Sequence, residues 1–313
     1  MVSTLAWAMQ PPVLMHVEQD LNFGRADQAL QTLNGLLAQN PGDAQAHNLR
    51  CRVFYEETEW DKAISDCEAA VALAPNDSNN HLWLARSYGQ KADRAGAIAG
   101  YKMARKVAAE FHKAVELDPH NAAALADLGQ FDVEAPAIAG GGVSHAEVLV
   151  PQLQGLSPAD GLMLKARIAE AKKDDAAAEA DLKAAIAVSS HPAEAWMDLA
   201  SFYLRRHRFD DMVAAAHNGA ALDTLKGPAL VQGANDLILA GREPQTAILW
   251  LRDYLNSRAQ SERSPAFVVR AELANLLANQ GDSQAARQEF AAVRALASDY
   301  RVPALVVSAK DGV

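Results

Sequence analysis

Pro41 and Pro75 stand 34 residues apart, and Pro158 and Pro192 repeat the same interval. Twelve positions before each of these prolines is an alanine, at Ala29, Ala63, Ala146 and Ala180. The two residue types act oppositely on a helix. Alanine favours it and lets a second helix approach closely, whereas proline cannot continue it and stops it before the next element. A fifth stretch ends at Pro119 with Val107 in the alanine's place, and Phe111 and Ala114 suit the packing positions between. Runs of period-two alternation are nearly absent, so this alanine- and leucine-rich chain reads as helical throughout. A period near 34 residues holds two helices and their turns. Such a unit cannot bury its apolar face alone, so the units must stack into an array.

Several stretches carry a closer likeness. GRADQALQTLNGLLAQNPGD, EWDKAISDCEAAVALAPND and FHKAVELDPHN resemble second helices of the tetratricopeptide-repeat family. AEAWMDLASFYLRRHRFDD is similar to a first helix, with Trp196, Leu199, Ala200, Tyr203 and Phe209 in the packing places, and QGDSQAARQEFAAVRALASDY to a late unit, with Gly281 at the turn and Phe290 packed. The resemblance covers residues 10–300. It implies an all-α, right-handed superhelical solenoid of about eight helix-turn-helix units, about 16 helices in all. The units are expected to start near residues 10, 44, 78, 122, 161, 193, 228 and 267, with a leader at 1–9 and a tail at 301–313. The seventh has no closing proline, and its Pro244 falls at the start of a second helix, where proline is tolerated.

Two places depart from the period. The third unit is ten residues too long, and nothing between Ala97 and Pro119 breaks a helix. One helix over 97–118 is expected, lengthened by nearly three turns, protruding, and carrying Lys102, Arg105, Lys106, His112 and Lys113 as a solvated face or a dock for an acidic partner. In the fourth unit EAPAIAGGG makes an expanded loop at 133–143, after which Ser144 and Glu147 are expected to form a capping box. The stretch lacks the lysine and hydroxyl residue of a phosphate loop and the glycine spacing of a dinucleotide site. Gly141, Gly142 and Ser144 remain as a partner-recognition loop or an anion site at a helix start. The loop is similar to those of bacterial members of the family, which implies a bacterial origin.

No constellation for catalysis is present: no G-x-S-x-G, no HExxH, and no cysteine with a histidine partner. The reading is therefore of a non-enzymatic protein with no cofactor and no metal. His47 and His81 lie one period apart and read as core residues without a third ligand. Cys51 and Cys67 fall at similar distances from one hairpin turn, and read either as a disulfide or as two buried thiols. A net charge of -10 lacks the basic footprint of nucleic-acid binding, and no apolar run approaches the ~20 residues of a membrane span. Localisation stays open between a bacterial cytoplasm and, if a signal segment has been removed, a periplasm.

A protein or peptide partner remains. In the family the first helices line the concave face, where ligands are held, and here that stripe offers Asn48, Arg52, Tyr55, Asn79, Trp83 and Arg86. Arginine, aromatic and amide side chains suit peptide anchoring, or else the aromatics simply pack between units. The lysine and asparagine clamp with which some members grip a terminal carboxylate is only partly matched, because Trp83, Ala123 and Asp127 replace three of its residues. Lys165, Lys172 and Lys173 add a basic stripe suited to an acidic peptide or to ordinary surface. The expected function is a scaffold or adaptor with a peptide in its groove. The alternative is a periplasmic accessory protein holding a small molecule or a polysaccharide-pathway component.

Overall fold

The structure, a computed structural model, describes residues 12–303. The expected leader and the tail from residue 304 onward lie outside the described residues. Within them the chain forms eight antiparallel helix pairs and no strand. The pairs are α1 (Pro12–Asn22) with α2 (Ala26–Gln39), α3 (Ala44–Glu56) with α4 (Trp60–Leu73), α5 (Ser78–Ala92) with α6 (Ala97–Leu117), and α7 (Ala122–Glu134) with α8 (Val143–Leu156). They continue as α9 (Pro158–Ala171) with α10 (Asp175–Val188), α11 (Pro192–Arg205) with α12 (Phe209–Leu222), α13 (Pro228–Leu239) with α14 (Pro244–Leu255), and α15 (Ala266–Asn279) with α16 (Ser283–Leu296). The fifth pair begins at Pro158 rather than near residue 161.

Local chemistry sets these boundaries. Asp43, Asp77 and Asn121 follow the turns at Pro41, Pro75 and Pro119, and each side chain accepts a backbone N–H from the first turn of the next helix. Pro158 and Pro192 act differently. They occupy the first position of α9 and α11, where the missing N–H costs nothing. The fourth residue of a second helix is where the hairpin closes, and Ala29, Ala63 and Ala146 are fully buried there. In α10 that place belongs to Ala178, while Ala180 is exposed. The twelve-residue match of Ala180 to Pro192 therefore arose by coincidence, in a segment where three residues separate α10 from the proline.

Compared with the second unit, the ten inserted residues of the third are divided unevenly. Two lengthen α5, one widens the turn, and seven lengthen α6 to 21 residues. The extension is thus about two turns, or roughly 10 Å, rather than nearly three turns. Lys106 lies 4.6 Å over the Tyr88 ring and donates to its hydroxyl, so this part of the extension packs on α5.

The glycine loop also differs from expectation. A 3-10 turn at Ala137–Ala139 precedes it, and α8 starts with Gly142 at its N-cap. Ser144 lies inside the helix, and Glu147 pairs with Lys172 instead of closing a capping box. The glycines are required here: a Cβ on Gly141 would lie 2.2 Å from the Ala135 carbonyl oxygen, and Gly142 has φ 152°.

The array closes on itself. Leu14, Val17 and Leu21 of α1 share a buried cluster with Phe267 and Ala271 of α15, Val293 of α16, and Tyr300. Asp27 on α2 accepts the backbone N–H and the hydroxyl of Ser298, each at 3.1 Å to Oδ1. Gly24 sits so close to α15 that a Cβ there would lie 2.3 Å from the Ala266 nitrogen. The first and last pairs therefore meet in a seam, and the described chain is a ring of hairpins.

Candidate functional site

Closure turns the inner face into a chamber of about 920 Å³. The first helices α5, α7 and α9 contribute side chains three or four positions apart, as a helix must when one stripe faces inward. Trp83, Arg86 and Gln90 come from α5, Ala123, Ala126, Asp127 and Gln130 from α7, and Met163 and Arg167 from α9. Asp198 comes from α11, and Glu262, Arg263 and Pro265 from the segment before α15. Tyr55 and Glu56 end α3, with Trp60 starting α4.

Three of the six residues assigned to the inner stripe reach this space: Tyr55, Trp83 and Arg86. Tyr55 meets Trp60 and Trp83 edge-on, at centroid distances of 5.4 and 5.5 Å. Arg86 stacks 4.6 Å over Trp83 and donates to Asp127 at 2.6 Å. The other three lie elsewhere. Asn48 is buried, and its amide nitrogen has no partner. Asn79 belongs to a separate surface hollow beside Asp77 and Asp118, where its carbonyl accepts from Asn121. Arg52 is held by Glu262, Nε donating to Oε1 at 2.7 Å and Nη2 to the other carboxylate oxygen, with its guanidinium 5.2 Å from the Trp83 ring centre. The carboxylate that Arg52 grips belongs to this chain, 210 residues away in sequence.

The chamber's charges are unevenly satisfied. Arg86 pairs with Asp127, Arg167 with Glu134, and Arg263 with Glu194. Glu56 is 9 % exposed, and its Oε1 has no hydrogen-bond partner among the described residues. Burial, and then the Glu262 carboxylate, push its carboxyl well above the usual range against the pull of Arg52. Burial also raises Asp198, which accepts from Gln232 at 3.1 Å, and raises the Tyr55 phenol. Behind this wall Ser201 donates to the buried Asp236, whose carboxyl is pushed up to about 7 by burial.

The remaining sequence candidates sit outside the chamber lining. Gly142 donates its N–H to the Asp132 carbonyl oxygen, and Asp132 is itself buried, its Oδ1 unbonded and 3.9 Å from His145. A buried carboxylate so close to the start of α8 opposes an anion at Gly141, Gly142 and Ser144. Cys51 and Cys67 join α3 to α4 with their Sγ atoms 1.99 Å apart. His47 and His81 hold equivalent places: each ring meets a carboxylate of the paired second helix, Asp66 or Glu110, and the carbonyl of Pro41 or Pro75. Lys165 and Lys172 are paired with Asp181 and Glu147. Among the described residues no group of three or more His, Cys, Asp or Glu is placed to hold a metal ion, and no helix is long and apolar enough to cross a membrane.

Sequence reasoning missed Glu56, Trp60, Asp198 and Glu262 as chamber residues. Glu56 follows Arg52 by four positions on the same helix face, and that spacing was available as a signal. That Glu262 lies against α3 was not, because it follows from closure.

Comparison with known proteins bears on the fold. Residues 14–78 match the tetratricopeptide repeat family. No curated protein sequence matches the chain. Among solved structures, yeast Tom70 is similar over 95% of this chain and 62% of its own, at 17% identity and a TM-score of 0.55. A thermophilic tetratricopeptide-repeat protein of Thermus thermophilus aligns over 73% of this chain and 98% of its own, at 20% identity and a TM-score of 0.46. PilF of Pseudomonas aeruginosa aligns over 82% and 94%, at 12% identity and a TM-score of 0.40. At these identities the likeness to Tom70 is one of fold.

Proposed function

We propose that this chain, a tetratricopeptide-repeat protein, is a non-enzymatic scaffold that holds a short segment of a partner protein inside its ring. The observation that carries the reading is the composition of the chamber wall: Tyr55 and Trp83 are grouped with Arg86, Gln90 and Gln130 on stacked first helices, with Trp60 beside them at the start of α4. Large rigid aromatics and arginines supply most of the energy at protein interfaces, and amides satisfy a segment's backbone. A preformed wall of this kind avoids the cost of ordering its own side chains on binding.

A second reading is favoured by closure itself. A space of about 920 Å³ falls within the roughly 300–1,000 Å³ typical of small-molecule sites, and the seam removes the open end along which a long peptide would run. The Cys51–Cys67 bond suits an oxidising compartment, as a periplasmic accessory protein would require.

A photoreactive amino acid at Gln130, compared with one at the outward Arg105, separates these readings in the source cell. Peptide adducts formed at Gln130 and not at Arg105 support the scaffold. A non-peptidic adduct at Gln130 selects the small molecule, and equal labelling at both positions removes the chamber as the site.

A further inference from the structure

The least explained group on the wall is Glu56. It is nine-tenths buried at the end of α3 and lines the chamber, yet one carboxylate oxygen has no partner. A buried acceptor left without a donor is costly, and proteins keep such groups rarely. Its cationic neighbour Arg52 is already taken up by Glu262 through two nitrogens. The other arginines of the wall each have a carboxylate partner as well. Asp198, also on the lining, accepts from the Gln232 amide and among the described residues from no cationic side chain. Five carboxyl groups, those of Glu56, Asp127, Asp160, Asp198 and Glu262, line the space; Arg86 and Arg52 hold Asp127 and Glu262, and among the described residues no ion pair holds Glu56, Asp160 or Asp198. The unpaired groups are therefore acidic, and they share the wall with Tyr55, whereas the Trp60 and Trp83 rings already stack with Arg94, Arg52 and Arg86.

From this geometry we infer that the chamber receives a cationic side chain, a guanidinium or an ammonium, of the bound segment, with Glu56 as its principal partner. The inference rests on the peptide reading above and narrows it: the segment is basic at the position that enters the ring. The incoming donor meets the Glu56 carboxyl, which shares the chamber wall with Tyr55 and Trp60.

The test uses the full chain and two matched peptide pairs, acetyl-Gly-Arg-Gly-amide with its citrulline counterpart and acetyl-Gly-Lys-Gly-amide with its acetyl-lysine counterpart. Each pair differs in charge at one side chain, and binding is followed by calorimetry and by tryptophan fluorescence. At least one cationic peptide is expected to bind about tenfold or more tightly than its neutral counterpart, the difference a charged hydrogen bond supplies. Glu56→Gln, confirmed as folded by circular dichroism, is expected to abolish that preference while leaving the neutral peptides unchanged. Equal affinities within both pairs, or a cation preference that survives Glu56→Gln, overturn the inference while binding of neutral peptides keeps the scaffold reading. Absence of binding by all four at millimolar concentration overturns the inference too, and the scaffold then stands or falls on the photocrosslinking at Gln130. The wild-type comparison decides the matter even if the variant fails to fold.

Discussion

Gly24 and Gly241 occupy left-handed backbone in two hairpin turns, with φ of 60° and 64°. Thr58, Lys173 and His207 take similar values in other hairpin turns, so that conformation alone does not demand glycine. What differs is the surroundings. A Cβ at Gly24 would meet the Ala266 nitrogen at 2.3 Å, whereas one at Gly241 meets nothing within 4 Å. Gly24→Ala is therefore expected to push the first pair away from the last, seen as a larger radius of gyration in solution scattering and faster amide exchange in α1, α2, α15 and α16. Gly241→Ala should lose about 1 kcal/mol of stability from the backbone alone and leave the radius unchanged. Identical scattering from the two variants would refute the seam. The same scale shows why some site residues were misplaced by pattern alone. Asn48 and Arg52 lie on the expected helix, but one turns into the core and the other spends its donors on Glu262.

At the level of elements, the hairpins were legible because each is built from contacts close in sequence. A proline or a capping Asp or Asn marks the entry, and a small residue marks the crossing. The errors came where two local signals competed. Gly142 took the N-cap that Ser144 was expected to fill, since its backbone could bend to reach the Asp132 carbonyl. In α10 the crossing alanine was two positions from the one the proline indicated. The α3–α4 pair carries a further restraint, because Cys51 and Cys67, 16 residues apart, are bonded and fully buried. A loop of that length restrains the unfolded chain by about 3 kcal/mol. Replacing both cysteines with alanine should lower the denaturation midpoint accordingly, and Ellman titration of unreduced, denatured protein should find no free thiol. Two thiols per chain in that titration would exclude the bond.

The whole molecule carries an unusual load of buried acid. Glu57 is pushed up to about 7 by burial and then by Asp27 of α2 and by Asp299 beyond α16, and burial raises Asp236 and Glu272 to about 7 as well. Between the ordinary carboxylate range and that value, the folded chain holds protons that the unfolded chain has released, so stability falls as pH rises through this window. A melting temperature higher at pH 5.5 than at pH 8 is the expected result, with the seam loosening first as Glu57 ionises. A melting temperature that instead rises steadily toward pH 8 would show that these carboxylates are not buried as described. Closure was the part of the architecture that the repeat pattern did not reveal. A 34-residue period describes how each unit meets its neighbour, and says nothing of how many units complete a circle.

That circle also imposes an order of events. Asn22 and Glu262 are 240 residues apart in sequence, and Asp27 and Ser298 are 271 apart. Contacts of such span are entropically costly to form early, and a chain made from its N-terminus displays its first hairpins long before their final neighbours exist. During synthesis the inner wall from α3 to α11 therefore stands open as a gutter, with Arg52 still waiting for Glu262. A segment that arrives in that interval can be laid in sideways; one that arrives after the last helix pair has docked must thread the opening or part the seam.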